Sequence, residues 1–150
     1  MSELSNKEKH FVVIYLLLNQ LIINHLYGKQ KKKPFNMLKK AIIKGLKDVK
    51  GKNIICIDLR KINGAVADYF IICHGDSNTQ VEGLSKAVCE SCFNSIGEKP
   101  WHQEGVSNAE WILIDYVNIV VHIFHREKRD FYNLESLWAD APIEEFENVL

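Results

Sequence analysis

The residues best placed for chemistry lie in "DYFIICHGDSNTQV", residues 68–81. An apolar run ends at His74 and Gly75, Asp76 and Ser77 follow, and the next residues open a helix. Strand, glycine turn and helix start can cradle a phosphate, because the first-turn amides have no partner inside the helix. Enzymes that transfer nucleotides from such a turn also hold Mg²⁺ between two or three carboxylates. Two of those carboxylates sit at alternate positions of a strand just after the loop helix. Here Asp115 is the only carboxylate in "WILIDYVNIVVHIF", residues 111–124, and its same-face neighbours Leu113 and Val117 are apolar. Asp58 and Asp68 flank other strands, with nothing in the sequence to bring them to Asp115. The loop also lacks the lysine and glycine spacing of a P-loop. A nucleotide- or phosphate-handling enzyme using Gly75–Ser77 and Asp115 is therefore the alternative reading, and it is short of its metal pair.

Histidines and cysteines add little chemistry. His122 and His125 are three apart on an expected strand, so they face opposite sides and cannot share a metal from one face. His74 and His102 lie near strand ends beside Asp76 and Glu104, where general acid–base work is conceivable but polar loop roles are commoner. No G-x-S-x-G elbow is present. "CESC", residues 89–92, falls deep in an expected helix, whereas redox pairs use a helix N-terminus to lower a thiol pKa. It also lacks a second ligand pair for zinc. The reading assigns no catalytic residue, no metal and no cofactor. Four reduced cysteines fit a cytoplasmic setting.

These residues must be carried by one domain, given 150 residues of ordinary globular composition. "NMLKKAIIKGLKDVKGK" has helical spacing through Leu38, Ile42, Leu46 and Val49, with Gly51 expected as a left-handed cap. "NIICIDL" (53–59) and "YFIIC" (69–73) read as strands. Ser77 and Gln80 form a capping box for a helix that runs to Gly97. A short strand is expected within "KPWHQEGV" (99–106). Strands at 109–115 and 118–124 then form a hairpin with both faces largely apolar. Along 109–115, Trp111, Leu113 and Asp115 point one way, and Ile112 and Ile114 the other. One amphipathic helix is expected over 126–138, and residues 142–150 read as an acidic tail. The fold class is α/β (α+β), a single domain with a mixed sheet of about five strands and helices packed on it.

The neutral total hides an asymmetry. Residues 1–36 hold six lysines and two glutamates, leaving residues 37–150 acidic overall. An acidic body suits a basic protein partner and gives a poor platform for nucleic-acid readout. Residues 1–36 are an N-terminal extension of uncertain status. The run "FVVIYLLLNQLIINHLY" (11–27) is broken by Asn19, Gln20, Asn24 and His25, short of the ~20 apolar residues of a membrane span. It lacks a small-residue cleavage site as well. It reads as a dispensable extension with Met37 as the start, as an added helix, or as a membrane tether for an adaptor.

Three segments together, "ADYFIICHGDSNTQV", "NAEWILIDYVNIVVHIF" and "RDFYNLESLWADA", resemble the Iojap family, the bacterial ribosomal silencing factors. The resemblance runs from about Met37 to Ala141, giving a domain over 37–141. It implies a fold similar to nucleotidyltransferases without their catalytic carboxylates, in agreement with the missing pair. It implies binding instead of catalysis. Members dock on a basic protein of the large ribosomal subunit at the intersubunit face, block joining of the small subunit, and lower translation when nutrients are scarce; some form homodimers. By the same resemblance Trp111 belongs to the docking face, with Asp115, His122 and Glu104 nearby. An aromatic centre with an acidic rim of Glu104, Glu110 and Asp115 suits a Lys/Arg-rich partner. Tyr132, Leu134 and Trp138 read as core. One departure is the hairpin turn, where Val117-Asn118 replaces the family's usual Gly-Asp. Valine resists positive φ, so Asn118 is expected in the left-handed position.

Overall fold

Apolar periodicity sets the first element. In helix α1 (Phe35–Asp48) Leu38, Ala41, Ile42, Gly45 and Leu46 recur at helical spacing and are buried. The structure, a computed structural model, describes residues 35–150 and, upstream, only Ile14, Leu18 and Ile22, which are helical and exposed. Apart from these residues, the segment read as an extension, added helix or tether lies outside the described residues. Among the described residues no helix is long and apolar enough to cross a membrane. Phe35 precedes Met37 yet stacks on Tyr69 with ring centroids 3.7 Å apart, so the packed body reaches upstream of residue 37.

The other elements are β1 (Lys52–Asp58), β2 (Tyr69–Gly75), α2 (Asn78–Ile96), β3 (His102–Glu104), β4 (Trp111–Asp115), β5 (Ile119–His125), α3 (Arg126–Tyr132), a 3₁₀ turn (Leu134–Trp138) and β6 (Ile143–Glu145). The six strands form one mixed sheet in the order β3-β4-β5-β2-β1-β6. Among the described residues only the central β2–β5 pair is parallel. Every residue of β2 is buried, as a central strand covered on both faces requires.

One face packs Ile54, Ile71, Cys73, Ile112, Ile114, Val121 and Ile123 under α1 and α2. A Cβ at Gly45 would lie 2.7 Å from the Ala87 carbonyl oxygen, so the two helix backbones meet there and only glycine fits. The opposite face packs Ile57, Phe70, Ile72, Leu113, Val120 and Phe124 under Leu59, Leu134 and Ala141.

Three local expectations change. The helix expected over 126–138 breaks at Asn133, whose φ of +46° ends α3 and begins the 3₁₀ turn. Asparagine tolerates that conformation better than other non-glycine residues. Beyond α1 the left-handed residue is Lys50 (φ +56°) and not Gly51. Residues 143–145, within the stretch read as an acidic tail, form β6 and pair antiparallel with β1, which brings the sheet to six strands.

Candidate docking surface

The glycine turn is closed on itself. Ser77 Oγ accepts from the Gln80 amide at 3.1 Å, as a capping box requires. Gln80 Oε1 accepts from the Asp76 amide at 2.8 Å, one residue before the cap. Gln80 Nε2 donates to the carbonyls of Val49 and Lys50 at 3.1 and 3.2 Å, tying the turn to the end of α1. A Cβ at Gly75 would press on the Gln80 side chain at 3.2 Å. The Asp76 amide that a phosphate would use is thus already bonded. Gly75 pairs with His125 and Asp115 with Val120, five positions apart on β5. That separation is about 16 Å, so the structure does not bring together the two halves of the enzyme reading.

Strand register places Glu104, Trp111, Asp115 and His122 on one face of the sheet. Glu104 pairs with Leu113, Leu113 with His122, and Trp111 and Asp115 flank Leu113 at two-residue spacing. Their roles differ sharply. Trp111 is half-buried on this face. Its ring lies 4.7 Å from Phe124 and 4.9 Å from Tyr132, centroid to centroid. Its Nε1–H donates to His122 Nδ1 at 3.1 Å. His122 is 1% exposed, and burial pushes its pKa down to about 3. A neutral ring that accepts at Nδ1 carries its proton on Nε2. His122 therefore holds Trp111 from behind and, contrary to the expectation, presents no contact surface of its own.

Asp115 is corrected in the same way. It is 0% exposed, and burial pushes its carboxyl up from the ordinary range. Its Oδ1 accepts from the Val117 amide at 2.6 Å. Asp115 thus shapes the β4–β5 turn and cannot form a rim around Trp111, from which it stands about 13 Å along the strand. In that turn the left-handed residue is Val117 itself, at φ +71°, and not Asn118. The Asn118 amide donates to the Tyr116 carbonyl at 2.9 Å, which closes a γ-turn of the rarer, strained hand around Val117. The Asn118 carbonyl in turn accepts from the amides of Asp68 and Tyr69, fixing the start of β2.

Glu104 is half-buried on β3, with Oε1 3.2 Å from His102 Nε2. The exposed rim beside Trp111 is Glu110, which Lys128 approaches to 3.6 Å. Two contributors escape the sequence reading. Tyr132, read as core, is half-buried against Trp111. Gly105, at φ +78°, lies so close to the Trp111 carbonyl that any Cβ would overlap it. The glycine after Glu104 in "HQEGV" was the available signal for a sharp reversal. The C-x-x-C thiols are far from poised: burial raises both, Cys92 to about 11.

Residues 32–150 match the family described as "Ribosomal silencing factor during starvation". The chain belongs to this ribosomal silencing factor family. It is 40% identical over 96 residues to the ribosomal silencing factor of Bacillus subtilis, covering 64% of this chain and 80% of that one. It is 36% identical over 108 residues to that of Halalkalibacterium halodurans, covering 72% and 91%. A crystal structure of a Chromobacterium violaceum protein matches with a TM-score of 0.66 at 34% identity, covering 71% of this chain and 88% of that one.

Within this silencing-factor domain a buried arginine ties α3 to the sheet. Arg129 of α3 donates to the Asn53 carbonyl at 2.8 Å and to Glu135 Oε1 at 2.7 Å. Its Nη1 also lies 3.0 Å from His74 Nδ1. Because arginine only donates, His74 Nδ1 is the acceptor. Burial and the Arg129 charge both push the His74 pKa down. No sequence pattern separates this inward arginine from the exposed charges beside it in "REKRD".

Proposed function

We propose that this chain silences translation by docking on the large ribosomal subunit, in the cytoplasm, through a basic protein at the intersubunit face. The bound domain, residues 37–141 with Phe35 and β6 packed on it, then excludes the small subunit sterically when nutrients are scarce. The observation that carries the reading is Trp111: an aromatic left partly exposed, with the only polar atom of its side chain bonded inward to His122. Such an anchor gives up apolar surface on binding without stranding a donor. Phe124 and Tyr132 brace the ring, and Glu104 and Glu110 supply negative charge beside it.

Catalysis has no part in this mechanism. Asp115 is engaged by its own turn, and the Gly75 loop is filled by Gln80.

Purified protein should co-sediment with isolated large subunits and not with small ones. Equal binding to both, or to neither, would overturn the reading. Sizing the unbound protein in the same preparation reports whether it is a homodimer, as the resemblance implies for some members. Titration with ATP or GTP and Mg²⁺ should give no saturable micromolar binding.

A further inference from the structure

Charge in the described body is segregated along the chain and in space. Residues 35–52 carry six lysines, Lys39, Lys40, Lys44, Lys47, Lys50 and Lys52, against Asp48 alone. Residues 53–150 are strongly acidic, with 16 Asp and Glu against seven Lys and Arg. The acidic sum that argues against nucleic acid thus averages two regions of opposite sign.

Lys40, Lys44 and Lys47 recur at i, i+4 and i+7 on α1, so they form one stripe with about 5–6 Å between successive Cβ atoms. The stripe borders a groove of about 590 Å³ between α1 and the segment around β6, with Ile43 and Phe146 among its lining. Lys39 and Lys47 stand 5.5 and 6.0 Å from the Phe146 ring. Lys39 is spent on Glu144, and Lys44 is shared with Asp48 at 2.6 Å. Lys40 and Lys47 have no carboxylate partner among the described residues.

We propose that the Lys40–Lys44–Lys47 stripe of α1 is a second interaction surface that binds the phosphodiester backbone of RNA without reading its sequence. Lysines at one-turn spacing meet successive phosphates as point charges and supply affinity without base contacts. A lipid surface fits less well. The apolar side of α1, Leu38, Ala41, Ile42, Ile43 and Leu46, is buried in the core, which leaves no apolar face to enter a bilayer. The docking proposal enters only in making ribosomal RNA the polyanion at hand. The stripe lies under the face opposite Trp111, at the β1–β6 side of the sheet, so the two surfaces are physically separate.

The test is fluorescence anisotropy of the full chain with a labelled single-stranded RNA and a labelled RNA hairpin, each at 50 and 200 mM salt. Both RNAs should bind, more weakly at the higher salt. Lys40→Gln/Lys44→Gln/Lys47→Gln should lose at least fivefold in affinity and reduce the log–log salt slope by about 2, as three lost phosphate contacts predict. Circular dichroism controls for folding. Trp111→Ala should bind these RNAs as the unaltered chain does, so loss of large-subunit docking and loss of RNA binding are read separately. No RNA binding, or equal affinity in the triple variant, would overturn the proposal. So would binding to vesicles rich in anionic lipid that exceeds RNA binding and depends on the same three lysines.

Discussion

The Gly75 turn and the Trp111 corner both looked functional in the sequence, and they solve opposite problems. At Gly75 the Gln80 side chain is consumed internally: it serves the Asp76 amide and the carbonyls of Val49 and Lys50. At Trp111 the single donor is satisfied inward by His122, while part of the ring stays open. A turn that spends its Asp76 and Gln80 amides and the Gln80 side chain inside the fold stabilises the fold. A surface whose own indole donor is bonded inward and whose ring is partly exposed suits a partner, because docking removes water from carbon without orphaning that donor. The lesson concerns what remains unspent, and residue type alone does not reveal it.

The comparison is broken most severely by Trp111→Ala. Affinity for the large subunit should fall about 30-fold or more, the roughly 2 kcal/mol of a central anchor. Stability should fall too, by about 2 kcal/mol, since half of the ring packs on Phe124 and Tyr132. Urea titration beside a binding isotherm separates the two losses. Unchanged affinity would remove Trp111 from the interface.

Acid attacks the same corner from behind. His122 has a pKa of about 3 in the fold against an ordinary 6.5, so between those values only the unfolded chain takes up its proton. Its contribution is complete above pH 6.5 and declines as pH falls, by roughly 2 kcal/mol at pH 5. His74, also pushed down, acts in the same direction. Asp115, pushed up, acts oppositely and offsets part of the loss as pH approaches the ordinary carboxylate range. Unfolding midpoints at pH 7, 6 and 5 should show the decline. His122→Gln, which keeps an acceptor for Trp111, should flatten it by about one proton.

At the Gly75 turn, Gln80→Ala should cost about 1 kcal/mol by removing its bonds to the Asp76 amide and to the end of α1. Large-subunit affinity should not change. A variant that lost affinity without losing stability would move the Gly75 turn into the interface and erase the contrast.

The sequence made the sheet and its helical cover legible where periodicity is strong. α1, α2 and the β4–β5 hairpin each carry a pattern that burial repeats, including the alternation of Trp111, Leu113 and Asp115 against Ile112 and Ile114. β6 was hidden because its three residues are all exposed and two are acidic, so nothing alternates. The break at Asn133 was hidden because the apolar spacing of Phe131, Leu134 and Trp138 survives it. For the candidate site, all four residues share one face, as strand alternation and register allow. Which of them are covered depends on contacts made only in the fold, such as the rings of Phe70, Trp111 and Phe124 around His122. That is why Asp115 and His122 passed for surface residues.

The smallest expected effect tests the turn that Asp115 builds. Val117 is held at φ +71°, where a β-branched side chain costs roughly 1–2 kcal/mol. Two bonds hold it there: the Asp115 carboxylate on its own amide, and the Asn118 amide on the Tyr116 carbonyl. Val117→Gly removes the steric cost but adds freedom to the unfolded chain, worth about 0.5–1 kcal/mol against folding. The net should be a gain of about 0.5 kcal/mol, read as a melting midpoint a degree or two higher. Large-subunit affinity should not move, since the turn stands at the far end of β4 from Trp111. A loss of stability would mean that the half-buried valine side chain contributes more to packing than its backbone strain costs. Asp115 would then be accommodating a conformation that the valine itself favours, and would not be imposing it.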